Sequence, residues 1–180
     1  MYFCGEITSK FRNILSMETN NQTTKEFFRL ASIIHLALVL GIVLFGSVVY
    51  FFIVDYQQVD IQSEFAKLLV YLVPGLVIGG IIASNLVYRI KLNEVRFIGD
   101  LKTKMLGYQS ALIVRYMLLD GPALFALVAI FITNNTNYMV YAGLMVVLLV
   151  LKRPTRKSAV MDLDLDQQEI ALLEDPDSIL

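Results

Sequence analysis

Three stretches of this chain are apolar over a length that matches a lipid bilayer, which leaves few folds open to it. Residues 30–54 carry no charge over 25 positions and residues 68–88 none over 21, while residues 111–133, ALIVRYMLLDGPALFALVAIFIT, are interrupted only by Arg115 and Asp120. About 20 apolar residues at 1.5 Å per residue cross the roughly 30 Å hydrocarbon core. A helix satisfies all of its backbone polar groups internally, so each run is expected to span as a helix. A fourth run ends at Lys152-Arg153-Pro154 and completes a short span if the turn Asn134-Asn135-Thr136-Asn137 dips into the headgroups. The expected fold is an all-α integral membrane four-helix bundle, with helices at about 30–54, 68–88, 108–133 and 136–152. Composition agrees: 57% hydrophobic residues, 17% charged and a mean hydropathy of +0.64, against about 25% charged in ordinary soluble domains.

The charges outside the spans set the orientation. Lys and Arg number four before residue 30, one in the first connection, five in the second, none in the third and four after the last span. The positive-inside rule therefore puts both termini and the second connection in the cytoplasm, and a bacterial inner membrane is the expected location. Residues 1–29 form a mixed polar segment with no apolar core of the signal-peptide kind. This segment is expected to be weakly structured, with residues 24–30 as the first turns of the following helix; Met17 opens a second translation start. Residues 89–104 read as a basic polar loop. The tail, residues 153–180, reverses sign, with seven acids and no base from Ser158 onward. Asp166-Gln-Gln-Glu169 has the form of a capping box opening a short helix, IALLED, with Pro176 beyond its end. Such a tail can fold back on the basic collar or dock a soluble partner, but the expectation is a solvated, mobile tail.

Within the spans the small residues suggest close helix packing. The second span carries Gly75-x-x-x-Gly79, Gly79-x-x-x-Ala83 and Gly80-x-x-x-Ser84; the first carries Ala37-x-x-x-Gly41, and the third carries Gly121-Pro122. The intramembrane polar residues are the candidate site: Asp120, Arg115, His35 and Asn85. An ionised Asp near mid-bilayer costs roughly 2.5–3.5 kcal/mol, which makes Asp120 a functional hypothesis by default. Counting 1.5 Å per residue, His35, Asn85 and Arg115 lie roughly 5–8 Å inside the cytoplasmic boundary, with Asp120 about 7–8 Å deeper. Arg115 and Asp120, five residues apart, are about 140° apart around their helix and form no natural ion pair. Arg115 is expected to snorkel to lipid phosphates, and His35 to be a packed residue bonded to a hydroxyl or carbonyl rather than a proton relay. Asp120 is either protonated or bonded to donors on a neighbouring helix, and Pro122 leaves the Leu118 carbonyl without its helical partner. Tyr50, Tyr56, Tyr71, Tyr88 and Tyr138 read as interfacial belt residues.

Two resemblances follow from these residues. Residues 119–126, LDGPALFA, on the outward helix of a hairpin with a small-residue-rich inward helix, resemble the carboxylate-bearing helix of the proteolipid subunit of rotary ATP synthases. That likeness implies an ion-carrying Asp120; the chain differs in its two flanking helices, in Arg115 and in its loop signature. Over most of its length the chain is similar to a group of small four-helix bacterial inner-membrane proteins with a Tyr-x-x-Ala-x-Ile-x-Arg-x-x-Leu-Leu-acid-Gly-Pro-Ala stretch and a final Arg-Pro-Thr. Here these are Tyr108, Ala111, Ile113, Arg115, residues 118–123 and residues 153–155. This second likeness implies fold and location.

Enzyme chemistry finds little support. There is no Gly-x-Ser-x-Gly elbow, no His-Glu-x-x-His, no phosphate-cradling glycine loop, and only one Cys (Cys4) and one His. No cofactor or metal is expected, and the spread of basic residues argues against nucleic acid. Expected partners are the lipid bilayer and a homo-oligomer or membrane complex. The leading expectation is a structural, interaction or accessory subunit; the alternative is proton or cation translocation through Asp120.

Overall fold

A computed structural model describes residues 23–55, 64–97, 99–175 and 178. Within them the chain forms six helices: α1 (Thr24–Asp55), α2 (Glu64–Arg96), α3 (Leu101–Thr133), α4 (Tyr138–Leu151), α5 (Arg156–Leu163) and α6 (Gln167–Glu174). Three of them, α1 to α3, are long and apolar enough to cross a membrane. The 14 residues of α4 cover only about 21 Å, and α4 makes a fourth span when joined to α5 across an 81° bend. The chain is a multi-pass membrane protein.

Local chemistry sets the helix ends. Thr23 and Glu26 cap α1 reciprocally, Thr23 N donating to Glu26 Oε2 and Glu26 N to Thr23 Oγ1, 3.1 and 3.3 Å, so the helix begins at Thr24. Asp100 caps α3, accepting from the Thr103 hydroxyl and amide at 2.8 and 3.2 Å. Those two bonds hold its exposed carboxyl below the usual range, as bonds to the charged form do. Asn134 ends α3 in the left-handed conformation, φ 54°, with its amide on the Ile130 carbonyl. Residues 134–137 then turn the chain back into α4. Thr155 caps α5, and the Asp166–Glu169 capping box opens α6 with both of its bonds formed.

The helices alternate in direction around α3, which packs against α1, α2, α4 and α5. It is the most buried of the three long helices; Tyr108, Ala111, Ala123, Ala126 and Ile130 on it are wholly enclosed. In lipid such contacts stabilise by van der Waals packing, since the tails outside are as apolar as the core. The small alanines let neighbouring helices come near, and Gly107 does the same beside Val95, whose side chain a Cβ there would strike.

The structure corrects two sequence expectations. The basic loop, residues 89–104, is mostly helix: α2 continues to Arg96, α3 starts at Leu101, and only a short turn remains. The reason is that Tyr88, Leu92 and Val95 on one helix and Met105, Tyr108 and Leu112 on the other keep a buried 3–4 residue spacing beyond the apolar runs. The tail is not a solvated strand of charge. Ala159, Leu163, Leu165 and Leu173 are buried, and Lys104 Nζ meets Glu169 Oε1 at 2.6 Å with both side chains largely covered. Tail and α1 also meet, the Thr24 amide donating to the Ser178 carbonyl at 3.1 Å. Tyr56, Pro176 and the N-terminal segment through residue 22 lie outside the described residues.

A cationic cavity at the basic end

The start of α1, the α2–α3 turn, the end of α4 and the tail gather at one end of the molecule, which carries most of the basic residues. A cavity of about 650 Å³ opens there between α2, α3, the end of α4 and α5. Two of its walls come from helix spacing: Asn85, Tyr88, Arg89, Leu92, Asn93 and Arg96 recur along one side of α2, and Tyr108, Leu112 and Arg115 along α3. Pro154, buried after Lys152-Arg153, turns the chain so that α5 lays Ser158, Met161 and Asp162 across the opening.

Arg115 is at its inner end. Its Nη2 donates to Asn85 Oδ1 at 3.1 Å and its guanidinium lies over the Tyr88 ring, 4.2 Å from the centroid. The Asn85 amide is held in turn by the Ile81 carbonyl, 3.0 Å. Arg115, expected to snorkel to lipid phosphates, makes an interhelical contact: α2 presents an acceptor and an aromatic face at the right height, and a stacked guanidinium loses less than one left in hydrocarbon. Tyr88, expected in an interfacial belt, is buried, and its hydroxyl donates to Asp162 Oδ2 at 2.6 Å. Arg96 Nε donates to the Asp162 carbonyl at 2.8 Å. Tyr138 is likewise buried, whereas Tyr50 and Tyr71 face outward.

His35 and Asp120 belong elsewhere. His35 is buried on α1, stacks edge-on against Tyr116 and donates from Nε2 to the Leu149 carbonyl at 2.8 Å, which satisfies one carbonyl of the last turn of α4. Tyr116 donates its hydroxyl to the Lys152 carbonyl, 3.0 Å. Arg115 and Tyr116 are neighbours in sequence and so point about 100° apart. His35 and Asn85 therefore sit against different faces of α3. Asp120 lies a turn after Tyr116, near the α1 seam: His35 meets Tyr116 and Gly46 lies beside Leu127, a constant offset that sets Asp120 level with Val39. The Asp120 side chain is partly covered and makes no hydrogen bond or ion pair with a described residue.

The glycines divide. A Cβ on Gly80 would lie 2.7 Å from Pro122 Cγ and 2.8 Å from the Leu118 carbonyl oxygen, and Ser84 beside it is buried; Ala83 is half-buried. Gly41, Gly75, Gly79 and Gly121 meet nothing within 4 Å, so their expected packing role is not met within one chain. The face of α2 turned to α3 is Val73, Val77, Gly80, Ser84 and Tyr88, and Gly75 and Gly79 fall on its far side.

Sequence reasoning missed the cavity. Its cations were visible, but they read as topology signals because the hairpin extension that aligns them was taken for a loop. Among the described residues no group of three or more His, Cys, Asp or Glu side chains is assembled that could hold a metal. Comparison with protein-family models, with curated proteins and with solved structures gives no match.

Proposed function

We propose that the chain is a bacterial inner-membrane protein whose four spans form a bundle with both termini in the cytoplasm, and that it works by assembling with other membrane helices, a second copy first among them, rather than by catalysis. The orientation is supported by the basic residues gathered at the end where α1 starts and α4 stops. One observation carries the assembly reading: Gly75 and Gly79 sit mid-helix on the outer face of α2 with open space above them. Each costs about 1 kcal/mol of helix propensity relative to Ala, and no contact within the chain offsets that cost. A second helix backbone approaching along Gly75-x-x-x-Gly79 does.

The test is energy transfer between donor- and acceptor-labelled protein in liposomes as lipid dilutes it. Gly75→Leu with Gly79→Leu is expected to weaken self-association about tenfold, the size of a 1–2 kcal/mol helix–helix contact, with helix content unchanged. Transfer that is the same in the double variant sinks the reading. Translocation, the second reading, is favoured by one observation, the unpartnered Asp120 carboxyl in the α1–α3 seam. Asp120→Asn keeps hydrogen bonding but cannot release a proton, so assembly predicts normal association. Proton flux in proteoliposomes that the parent protein shows and Asp120→Asn abolishes would decide for translocation.

A further inference from the structure

We propose that the cavity at the basic end binds a phosphate group, either the headgroup of an anionic phospholipid or a free phosphate ester. Five cationic side chains line it, Arg89, Arg96, Arg115, Lys152 and Arg153, against one carboxylate, Asp162. None of the five is in an ion pair with a described residue, in contrast to Lys67 with Glu64 and Lys104 with Glu169. Arg115 lies close enough to Lys152 for the two charges to repel. Packing like charges around a shared space is unfavourable unless an anion fills it, and a concave wall of one sign raises the local concentration of the opposite ion.

The donors point the same way. Tyr108 is completely buried and Arg115 half-buried, yet the Tyr108 hydroxyl and Arg115 Nε have no hydrogen-bond partner of good geometry. The neighbouring Tyr88 hydroxyl gives its proton to Asp162 but keeps an oxygen that can accept from Tyr108, so Arg115 Nε is the donor left without an acceptor. Buried donors without acceptors are rare in folded proteins because each forfeits its bonds to water, and Arg115 belongs to the cavity lining. A phosphate offers several acceptor oxygens in different directions, which suits donors arriving from α2, α3 and the α4–α5 bend, and guanidinium forks bind it bidentately. The 650 Å³ volume falls in the range of small-molecule sites and has room for a glycerophosphate headgroup. Asp162 is the built-in competitor: it neutralises part of the field and opposes an incoming anion.

The experiment uses the full chain in phosphatidylcholine nanodiscs, with and without phosphatidylglycerol, and in phosphatidylcholine nanodiscs titrated with inorganic phosphate against chloride at matched ionic strength. Thermal unfolding is read together with tyrosine emission, which the absence of tryptophan leaves unobscured. The expected result is saturable stabilisation by at least one probe. Stabilisation by phosphatidylglycerol alone assigns the headgroup; stabilisation by inorganic phosphate assigns a soluble ester. Arg89 and Arg153 are exposed at the rim, so Arg89→Gln with Arg153→Gln keeps the fold and is expected to weaken binding about tenfold or more, as loss of charge-assisted bonds does. Asp162→Asn retains an acceptor for Tyr88 and is expected to tighten binding. Absence of stabilisation by both probes, an unchanged shift in the arginine double variant, or an Asp162→Asn variant that binds no more tightly would each overturn the proposal.

Discussion

Gly80→Leu is expected to open the α2–α3 pair and destabilise the protein by about 3 kcal/mol or more, at the upper end of overpacking costs. The reason lies in the partner helix. Pro122 has no amide proton, so the Leu118 carbonyl loses its helical bond and stands where α2 comes closest. A Cβ at residue 80 would lie 2.8 Å from that oxygen and 2.7 Å from the proline ring. Neither atom is the end of a flexible side chain, so the helices must part, and Val77 and Ser84, buried to either side, lose their contacts with them. Gly79→Leu, one position away and facing open space, is the control: it removes a glycine from a helix interior and should leave the single chain as stable as before or slightly more so. Unfolding in mixed detergent micelles, followed by far-ultraviolet circular dichroism, compares the two. Equal midpoints for both variants would mean that α2 does not meet α3 through Gly80.

The same pair of residues shows how far the sequence could be read. Apolar length was enough to find three helices long enough to span, because the bilayer sets a minimum length irrespective of partners, but not their ends: α1 starts six residues before the apolar run, α2 ends eight after its own, and α3 starts seven before the expected residue 108. Three overlapping small-residue motifs on α2 were equally plain, but a motif does not say which face turns inward. That is decided by Val73, Val77, Ser84 and Tyr88 packing on α3, and it leaves Gly80 inside and Gly75 and Gly79 outside. Past the membrane edge charge misled. Arg89, Lys91 and Arg96 marked a loop, while Tyr88, Leu92 and Val95 between them kept the helical spacing that extends α2. Arg115 was legible in the sequence as an intramembrane cation, but its contacts with Asn85 and Tyr88 were not, since they lie on another helix. The capping box at Asp166 was legible because both of its partners lie within four residues; the docking of that helix on Lys104 was not, because sign complementarity carries no register.

That docking supplies the second large effect. Lys104 is buried, and Glu169 is its one ion-pair partner, 2.6 Å away with side-chain exposures of 10% and 14%. Glu169→Gln is expected to release α5 and α6 from the bundle rather than unfold it, because breaking a covered pair leaves a charge that the tail can only accommodate by lifting off. Breaking a buried pair costs about 3–5 kcal/mol; after discounting for residual exposure, about 3 kcal/mol corresponds to roughly hundredfold faster amide exchange across residues 156–174. The mirror variant should be milder. In Lys104→Met, Glu169 still accepts from the Asp166 amide at 3.1 Å through its other oxygen, so its carboxylate keeps a partner and about 1–2 kcal/mol is lost. Combining Lys104→Met with Glu169→Gln should recover most of the protection, since no charge is then stranded and Gln retains the capping bond. Hydrogen exchange read by mass spectrometry on the four proteins gives the coupling directly. If tail amides are unprotected in the parent protein, or Glu169→Gln exchanges no faster than the parent, the acidic tail is not held by Lys104, and Asp162 loses its fixed place in the wall of the cationic cavity.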